Sequence, residues 1–474
     1  MIHRFFVEKI EENFPYPLTH DQFSAIEKIA DFLFSTESRP VFLLKGYAGT
    51  GKSSLIGSLV KVMSQYQQKT VLLAPTGRAA KVFSEHAGQQ AFTIHKKIYR
   101  QKKFAEDQAV FSLSENLHKH TLFIVDEASM INNGSGESSL FGSGRLLEDL
   151  IDYVYSGDGC RMLLLGDTAQ LPPVKQDNSP ALDKETLRSY SLVVKGSTLT
   201  EIVRQAEESG ILKNATLLRN ALSLNNISVY PKLKLDGYKD LKRITGMELI
   251  EELSDAYRRD GMEETIVISR SNKRVNAYNN GIRNRVLYLE DELSPGDLLM
   301  ITKNNYFWVN DLEHIDFLAN GEFVEVKRIR GCEEMYGFRF ANVSLLHIDF
   351  NMEFDAKINL DALHSEVPSL TTEQNEKLFT AVIEDYADIP QKRKRYQKMK
   401  ENPYFNALQV KYGYAVTCHK AQGGEWKNVF LDIGYIDKSY MGENFYRWLY
   451  TSITRSTQML YLVNLPDELM AHPK

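Results

Sequence analysis

The stretch GYAGTGKS, residues 46–53, constrains this chain more than any other. It fits G-x-x-x-x-G-K-S at every fixed position. Ahead of it stands an apolar run, PVFLL. Behind it Leu55, Ile56, Leu59, Val60 and Met63 keep helical spacing. A strand, a glycine loop and a helix in that order turn backbone N–H groups inward, with the positive end of the helix dipole behind them. That is a cradle for phosphate. It assigns Gly46, Gly49, Thr50, Gly51, Lys52, Ser53 and Ser54 to cofactor binding. Lys52 would reach the β and γ phosphates of ATP, and the Ser53 hydroxyl would ligate Mg2+.

Other short apolar runs, TVLLAPTG, TLFIVDEAS and RMLLLGDTAQ, read as buried parallel strands with working loops at their C-terminal ends. In FIVDEAS, Asp126 can hold the metal while Glu127 orients and deprotonates a water. Gln170 in GDTAQLPPV is placed to sense a γ-phosphate or that water. Gln22 in PLTHDQFSAI is a candidate reader of the adenine edge, since an amide donates and accepts at once.

At 474 residues the chain exceeds one ordinary core, and two to four domains are expected. The longest apolar runs are strand-length, far short of the ~18 residues of a membrane span. The N-terminus carries acids where an export signal has its apolar centre. Three widely separated cysteines, Cys160, Cys332 and Cys418, fit a reducing compartment rather than a disulfide framework. A cytoplasmic protein is expected. A net charge of −5 excludes a broadly basic coat for nucleic acid but not a local basic channel.

The strand-and-helix pattern resumes after Gly196, with ETIVISRSNKRV, KNVFLDIGY and STQMLYLVNL. Between these, short runs rich in Val, Phe, Ile and Tyr separated by turn residues suggest a small β-barrel over 291–405. Residues 96–120 read as a polar insertion on the first domain, and 132–144 as a glycine- and serine-rich loop. The expected division is 1–198, then 199–290 with 406–474, with 291–405 interrupting the second α/β domain. In YAVTCHKAQGGEW, Cys418 and His419 lack a second Cys or His at ligand spacing, which argues against a metal site. Spacing alone leaves a thiol–imidazole pair open, though nothing nearby would orient the base.

The ordered series LTHDQ, GYAGTGKS, APTGRAA, TIH, VDEAS, GDTAQLPPV, LTEIVRQ, VTCHKAQGGEW and YTSITRS resembles the motifs of superfamily-one DNA helicases. It is most similar to the RecD-like, Dda-like and Pif-type branch that moves 5′ to 3′, and it spans Leu18 to Ser456. The resemblance implies an α/β fold of two RecA-like domains with ATP and Mg2+ in the cleft between them. It also implies a wedge in the insertion at 96–120 and an SH3-like barrel at 291–405. Arg204 and Arg455 would serve as arginine fingers, with Gly423 and Glu425 on the nucleotide side. Thr76, Arg78, Thr93, His95, Ser269, Asn272, Asn305, Thr417, His419 and Lys420 would touch DNA. Phe104, or equally Phe111, would tip the wedge. Single-stranded DNA and junctions are the implied partners of a monomer with no membrane attachment, in replication or repair. A single-strand-stimulated ATPase that strips nucleoprotein complexes is the alternative. A small-molecule kinase is disfavoured by Glu127 beside Asp126.

Overall fold

The computed structural model describes residues 2–101, 111–134, 142–202, 208–224, 226–227, 230–309, 317–367, 369–435 and 441–471. The first sheet holds β1 (Pro40–Gly46), β2 (Thr70–Ala74), β3 (Ala91–Thr93), β6 (Leu122–Val125), β7 (Arg161–Gly166) and β8 (Val193–Leu199), in the order β3-β2-β6-β7-β1-β8. Every pairing in it is parallel. Side chains alternate between its faces with the strand period of two. Val41, Leu43, Leu73, Phe123, Val125, Met162 and Leu164 enter one core. Phe42, Leu44, Leu72, Leu122, Ile124, Leu163 and Leu165 enter the other. Burial on both sides explains why these strands read as unbroken apolar runs. Within 96–120 a two-stranded hairpin, β4 (Tyr99–Gln101) on β5 (Phe111–Leu113), is antiparallel. Its tip, with Phe104, lies outside the described residues.

The second sheet is also wholly parallel and contains β9 (Leu241–Ile244), β10 (Thr265–Ser269), β16 (Ala415–Thr417), β17 (Trp426–Asp432) and β18 (Ser456–Val463), in the order β16-β10-β17-β18-β9.

Between β10 and β16 lies an antiparallel sheet of β11 (Leu298–Ile301), β12 (Phe323–Met335), β13 (Phe338–His347), β14 (Met352–Asn359) and β15 (Val410–Tyr412). Its edge strands approach each other where Ile358 bridges Leu408, with the Asn359 N–H donating to Leu408 O at 2.9 Å. The sheet runs on to Tyr412, past residue 405. Two helices, Thr372–Glu384 and Lys392–Lys400, pack on it with their own small core of Phe338, Phe340, Leu378, Val382 and Met399.

One continuous core joins the second parallel sheet to this inserted one, from Ile266 and Phe430 through Tyr414 to Leu299 and Val343. A buried ion pair reinforces the joint. Arg283 donates to both oxygens of Asp297, at 2.7 and 2.9 Å, and the Tyr414 hydroxyl donates to the same carboxylate at 2.8 Å. Buried charge is tolerated here because every carboxylate lone-pair direction is matched by a donor.

Candidate functional site

The phosphate loop leaves β1 at Gly46 and feeds the helix Lys52–Gln65. Gly49 and Gly51 sit at φ 75° and 76°, the left-handed region that a side chain resists. The Lys52 Nζ donates to the carbonyls of Gly46 at 2.7 Å and Tyr47 at 3.0 Å, which keeps its charge inside the curve of the loop. Thr50 is fully buried, and its hydroxyl donates to Tyr47 O. Gln22 braces the loop from below. Its Nε2 donates to Thr50 O at 2.9 Å, while its Oε1 accepts the Thr19 N–H in a capping box. Both ends of that amide are thus engaged by the protein.

Asp126 and Glu127 follow β6. Glu127 is held at φ 49°, and its N–H donates to Asp126 Oδ1 at 2.8 Å. A left-handed conformation at a non-glycine residue costs of order 1–3 kcal/mol, which the surrounding fold must offset. Withdrawal from solvent, then the adjacent Glu127 carboxylate, pushes Asp126 up to about 7. Desolvation raises Glu127 as well, and the Arg455 guanidinium opposes the rise. Gln170, nine-tenths buried behind β7, points an Oε1 without a hydrogen-bond partner among the described residues.

The second domain closes the other wall. Arg455 is only 3% exposed; its Nη1 stands 3.8 Å from Glu127 Oε1 and donates to Gly424 O at 3.1 Å. On the helix Glu443–Ile453, Tyr450 donates to Asp167 and accepts the Ala48 N–H of the phosphate loop at 2.9 Å. The next residue, Thr451, accepts the Leu171 N–H at its Oγ1 at 2.9 Å, and one turn earlier Arg447 donates to Gln170 O at 3.2 Å. These contacts enclose a cavity of about 400 Å3 lined by Gly49, Gly51, Lys52, Ser53, Ser54, Asp126, Glu127, Gln170, Gly423, Glu425 and Arg455. Loop amides, a cation, a hydroxyl, two carboxylates and an orphan amide oxygen are the donor set a nucleoside triphosphate with a hard divalent cation needs. Arg204 lies outside the described residues.

The residues expected along a DNA track are more dispersed. Ser269 and Thr417 stand side by side in register at the ends of β10 and β16. Ser269 is buried, and its hydroxyl has no hydrogen-bond partner among the described residues. Thr76 and Thr93 each cap a helix, accepting the Ala79 and Lys96 N–H groups. Asn272 is exposed at the start of the helix Asn272–Arg285. Asn305 donates to Asn406 O at 2.7 Å. Burial holds His95 down to about 4, so its ring is neutral near pH 7. His419 is exposed. Lys420 reaches the Asn320 side chain, and burial brings it down to about 8. Cys418 is fully buried and pushed up to about 12, an inert filler rather than a nucleophile.

Arg78 is engaged between domains. Its Nη2 donates to Glu425 O at 3.0 Å, and its guanidinium lies 4.0 Å over the Trp426 ring and 5.6 Å from that of Phe323. A cation over a desolvated indole is among the stronger contacts of its kind. Phe111 at the hairpin base packs on Tyr306 at 4.6 Å, and Tyr306 on Phe317 at 5.0 Å. A run of tilted ring contacts therefore ties the first-domain insertion to the inserted domain.

Tyr450, Asp167, Arg447 and Thr451 are the site residues that sequence reasoning missed. Asp167 lies three positions before Gln170, and Tyr450 five before Arg455. Their proximity to motif residues was the available signal, but their partners are far away in sequence.

Fold and cleft together define a phosphate-loop nucleotide-binding protein with two parallel α/β domains. The comparisons narrow this. Residues 17–245 match an AAA domain family, and residues 412–463 match a UvrD-like helicase C-terminal domain. The chain is 24% identical over 458 residues to the ATP-dependent RecD2 DNA helicase of Deinococcus radiodurans, covering 94% of this chain and 48% of that protein. It is 25% identical over 266 residues to the ATP-dependent DNA helicase Dda of Enterobacteria phage T4, covering 54% of this chain and 55% of that one. The chain thus spans about half the length of these relatives. A Pif1 helicase from Bacteroides, solved with ADP-AlF3 and single-stranded DNA, aligns at TM-score 0.49 with 15% identity, covering 97% of this chain and 95% of that one. The chain is thus similar to ATP-dependent DNA helicases, RecD2 and Dda among them, and carries matches to an AAA domain and to a UvrD-like helicase C-terminal domain.

Proposed function

We propose that this protein is an ATP-dependent DNA helicase that moves 5′ to 3′ along single-stranded DNA and unwinds duplex. The observation that carries this reading is the convergence of Lys52, Asp126, Glu127 and Gln170 of one domain with Arg455 of the other on a single cavity. Such a site ties the state of the nucleotide to the angle between domains.

In this reading both α/β domains are RecA-like. Gly46, Gly49, Thr50, Gly51, Lys52, Ser53 and Ser54 bind the phosphates of ATP, and Gln22 lies beneath the loop at the adenine end. Ser53 and Asp126 would hold Mg2+, which when bound neutralises charge on the transferring phosphoryl group. Glu127 orients the attacking water and takes its proton. Arg455, joined by Arg204, stabilises the developing charge. Gly423 and Glu425 report the nucleotide to the neighbouring segment Thr417–Lys420. The single strand lies over Thr76, Thr93 and His95 on the first domain and Ser269, Asn272, Thr417, His419 and Lys420 on the second, with Arg78 and Asn305 alongside. The hairpin at 96–120 is the wedge, with Phe104 toward its tip, and the five-stranded insertion is the SH3-like domain. The protein acts as a cytoplasmic monomer on strands and junctions.

Strand separation on matched duplexes with a 5′ tail, a 3′ tail or no tail, in ATP and magnesium, tests the proposal. Unwinding from the 5′ tail alone supports activity and polarity together. Unwinding from the 3′ tail breaks the polarity, and hydrolysis without separation favours a remodeller.

A further inference from the structure

A second cleft lies away from the nucleotide cavity, within the inserted domain. It encloses about 630 Å3 between the segment Lys303–Phe307 and the helices Thr372–Glu384 and Lys392–Lys400. Its walls bring Tyr306, Phe307, Phe379 and Phe405 to one space, each ring partly accessible. Lys303 stands at its edge.

The second helix gives the rim of this cleft a positive sign, while Lys303 and Lys400 balance Glu376 and Glu401 within its lining. Lys392, Arg393, Lys394, Arg395, Lys398 and Lys400 are six cations in nine residues, in a chain whose net charge is −5. Lys398 is paired with Glu401 at 2.8 Å. Arg395 is turned inward to the carbonyls of Ala387 and Ile389. Arg393 and Lys394 are exposed and have no carboxylate partner among the described residues. Helical spacing places Arg393, Gln397, Lys400 and Glu401 on one stripe, and the last three line the cleft. Exposed cations therefore run along the rim of an aromatic slot. Met399 is the residue this helix buries, so the exposed cations are not part of a packed core.

We infer that this cleft is a second single-stranded nucleic-acid site, with bases against Phe307, Phe379 and Phe405 and phosphates along Arg393 and Lys394. Aromatic slots flanked by unpaired cations are what sequence-tolerant strand binding requires, because every base has a π face. A duplex cannot present its bases to such a slot. The inference rests on the reading of the chain as a single-strand motor, and extends the strand's path past Asn305, which lines this cleft, to residues away from the two parallel sheets.

The test is anisotropy of labelled oligo-dT, without nucleotide, for the wild type and for the double variant Arg393→Gln/Lys394→Gln. An 8-mer suffices for the track alone, whereas a 30-mer reaches both sites. The double variant is expected to bind the 30-mer about fivefold to tenfold more weakly, with the salt slope reduced by about 1.4, as two lost phosphate contacts at ~0.7 each require. Binding of the 8-mer and ATP hydrolysis without DNA are expected to stay unchanged. Equal loss on both lengths, no loss on either, or loss only on blunt duplex would overturn the proposal. Photocross-linking of an iododeoxyuridine 30-mer to the wild type should label Phe307, Phe379 or Phe405; labelling confined to the neighbourhood of Ser269 and Thr417 would also overturn it. Failure of the wild type to bind even the 8-mer would instead count against the motor reading.

Discussion

Tyr450 and Asp167 belong to different domains, yet the tyrosine hydroxyl donates to the aspartate carboxylate while accepting the Ala48 N–H of the phosphate loop. The carboxylate is buried and raised by desolvation, with the Lys52 ammonium the largest opposing influence. One hydroxyl thus joins the second domain to two elements of the first. Tyr450→Phe removes the donor and leaves a buried carboxylate short of a partner, which costs about 1–3 kcal/mol. Thermal unfolding should register the loss, and ATP turnover should fall with it. An unchanged melting temperature would mean that the contact contributes nothing to closure.

Lys52→Ala should abolish ATP hydrolysis. Among the described residues its ammonium donates to the Gly46 and Tyr47 carbonyls, so its removal should leave the fold intact by circular dichroism while the buried Asp167 carboxyl, which it opposes, rises further. Normal turnover in this variant would sink the phosphate-loop assignment.

Arg455→Ala should reduce turnover by roughly 10³-fold or more, the range of arginine fingers. It also strips Glu127 of its opposing cation, so the Glu127 carboxyl rises further and residual activity should shift to higher pH. A pH–rate profile separates this from a merely structural loss, which would lower the curve without moving it.

Lys420 supplies a pH dependence. Burial lowers its ammonium to about 8, so the charged form dominates at pH 7 and is lost as pH rises through that value. If it contacts phosphate, strand affinity should fall between pH 7 and 9. Lys420→Arg, whose charge persists, should flatten that limb. For stability the sign is opposite. A lysine depressed in the folded state is destabilising below about pH 8, where it must be charged while buried, and that penalty fades as pH climbs toward the unfolded value. A wild-type affinity flat from pH 7 to 9 would remove Lys420 from the track.

What the sequence made legible was local. The phosphate loop, the acids after β6 and the strand runs each lie within a dozen residues, where spacing and apolar pattern carry the information. The links that shape the cleft do not. Tyr450 is 283 residues from Asp167 and 402 from Ala48, and a single sequence holds no signal for pairings of that range. Arg78 illustrates a subtler limit. Its motif implied a place on the DNA track, and its guanidinium lies over Trp426, a neighbour that only the fold supplies. The inserted sheet likewise runs past the expected boundary at 405, because β15 is three residues long and its apolar pattern merges with that of β16.

The continuous core between the second parallel sheet and the inserted one has a calorimetric consequence. With Arg283 and Asp297 paired at the joint and one apolar core running through both sheets, the insertion should not melt as a separate unit. Heating should resolve two cooperative steps rather than three. The piece of chain from 291 to 412 should then lose its enthalpy together with strands that lie on both sides of it in sequence.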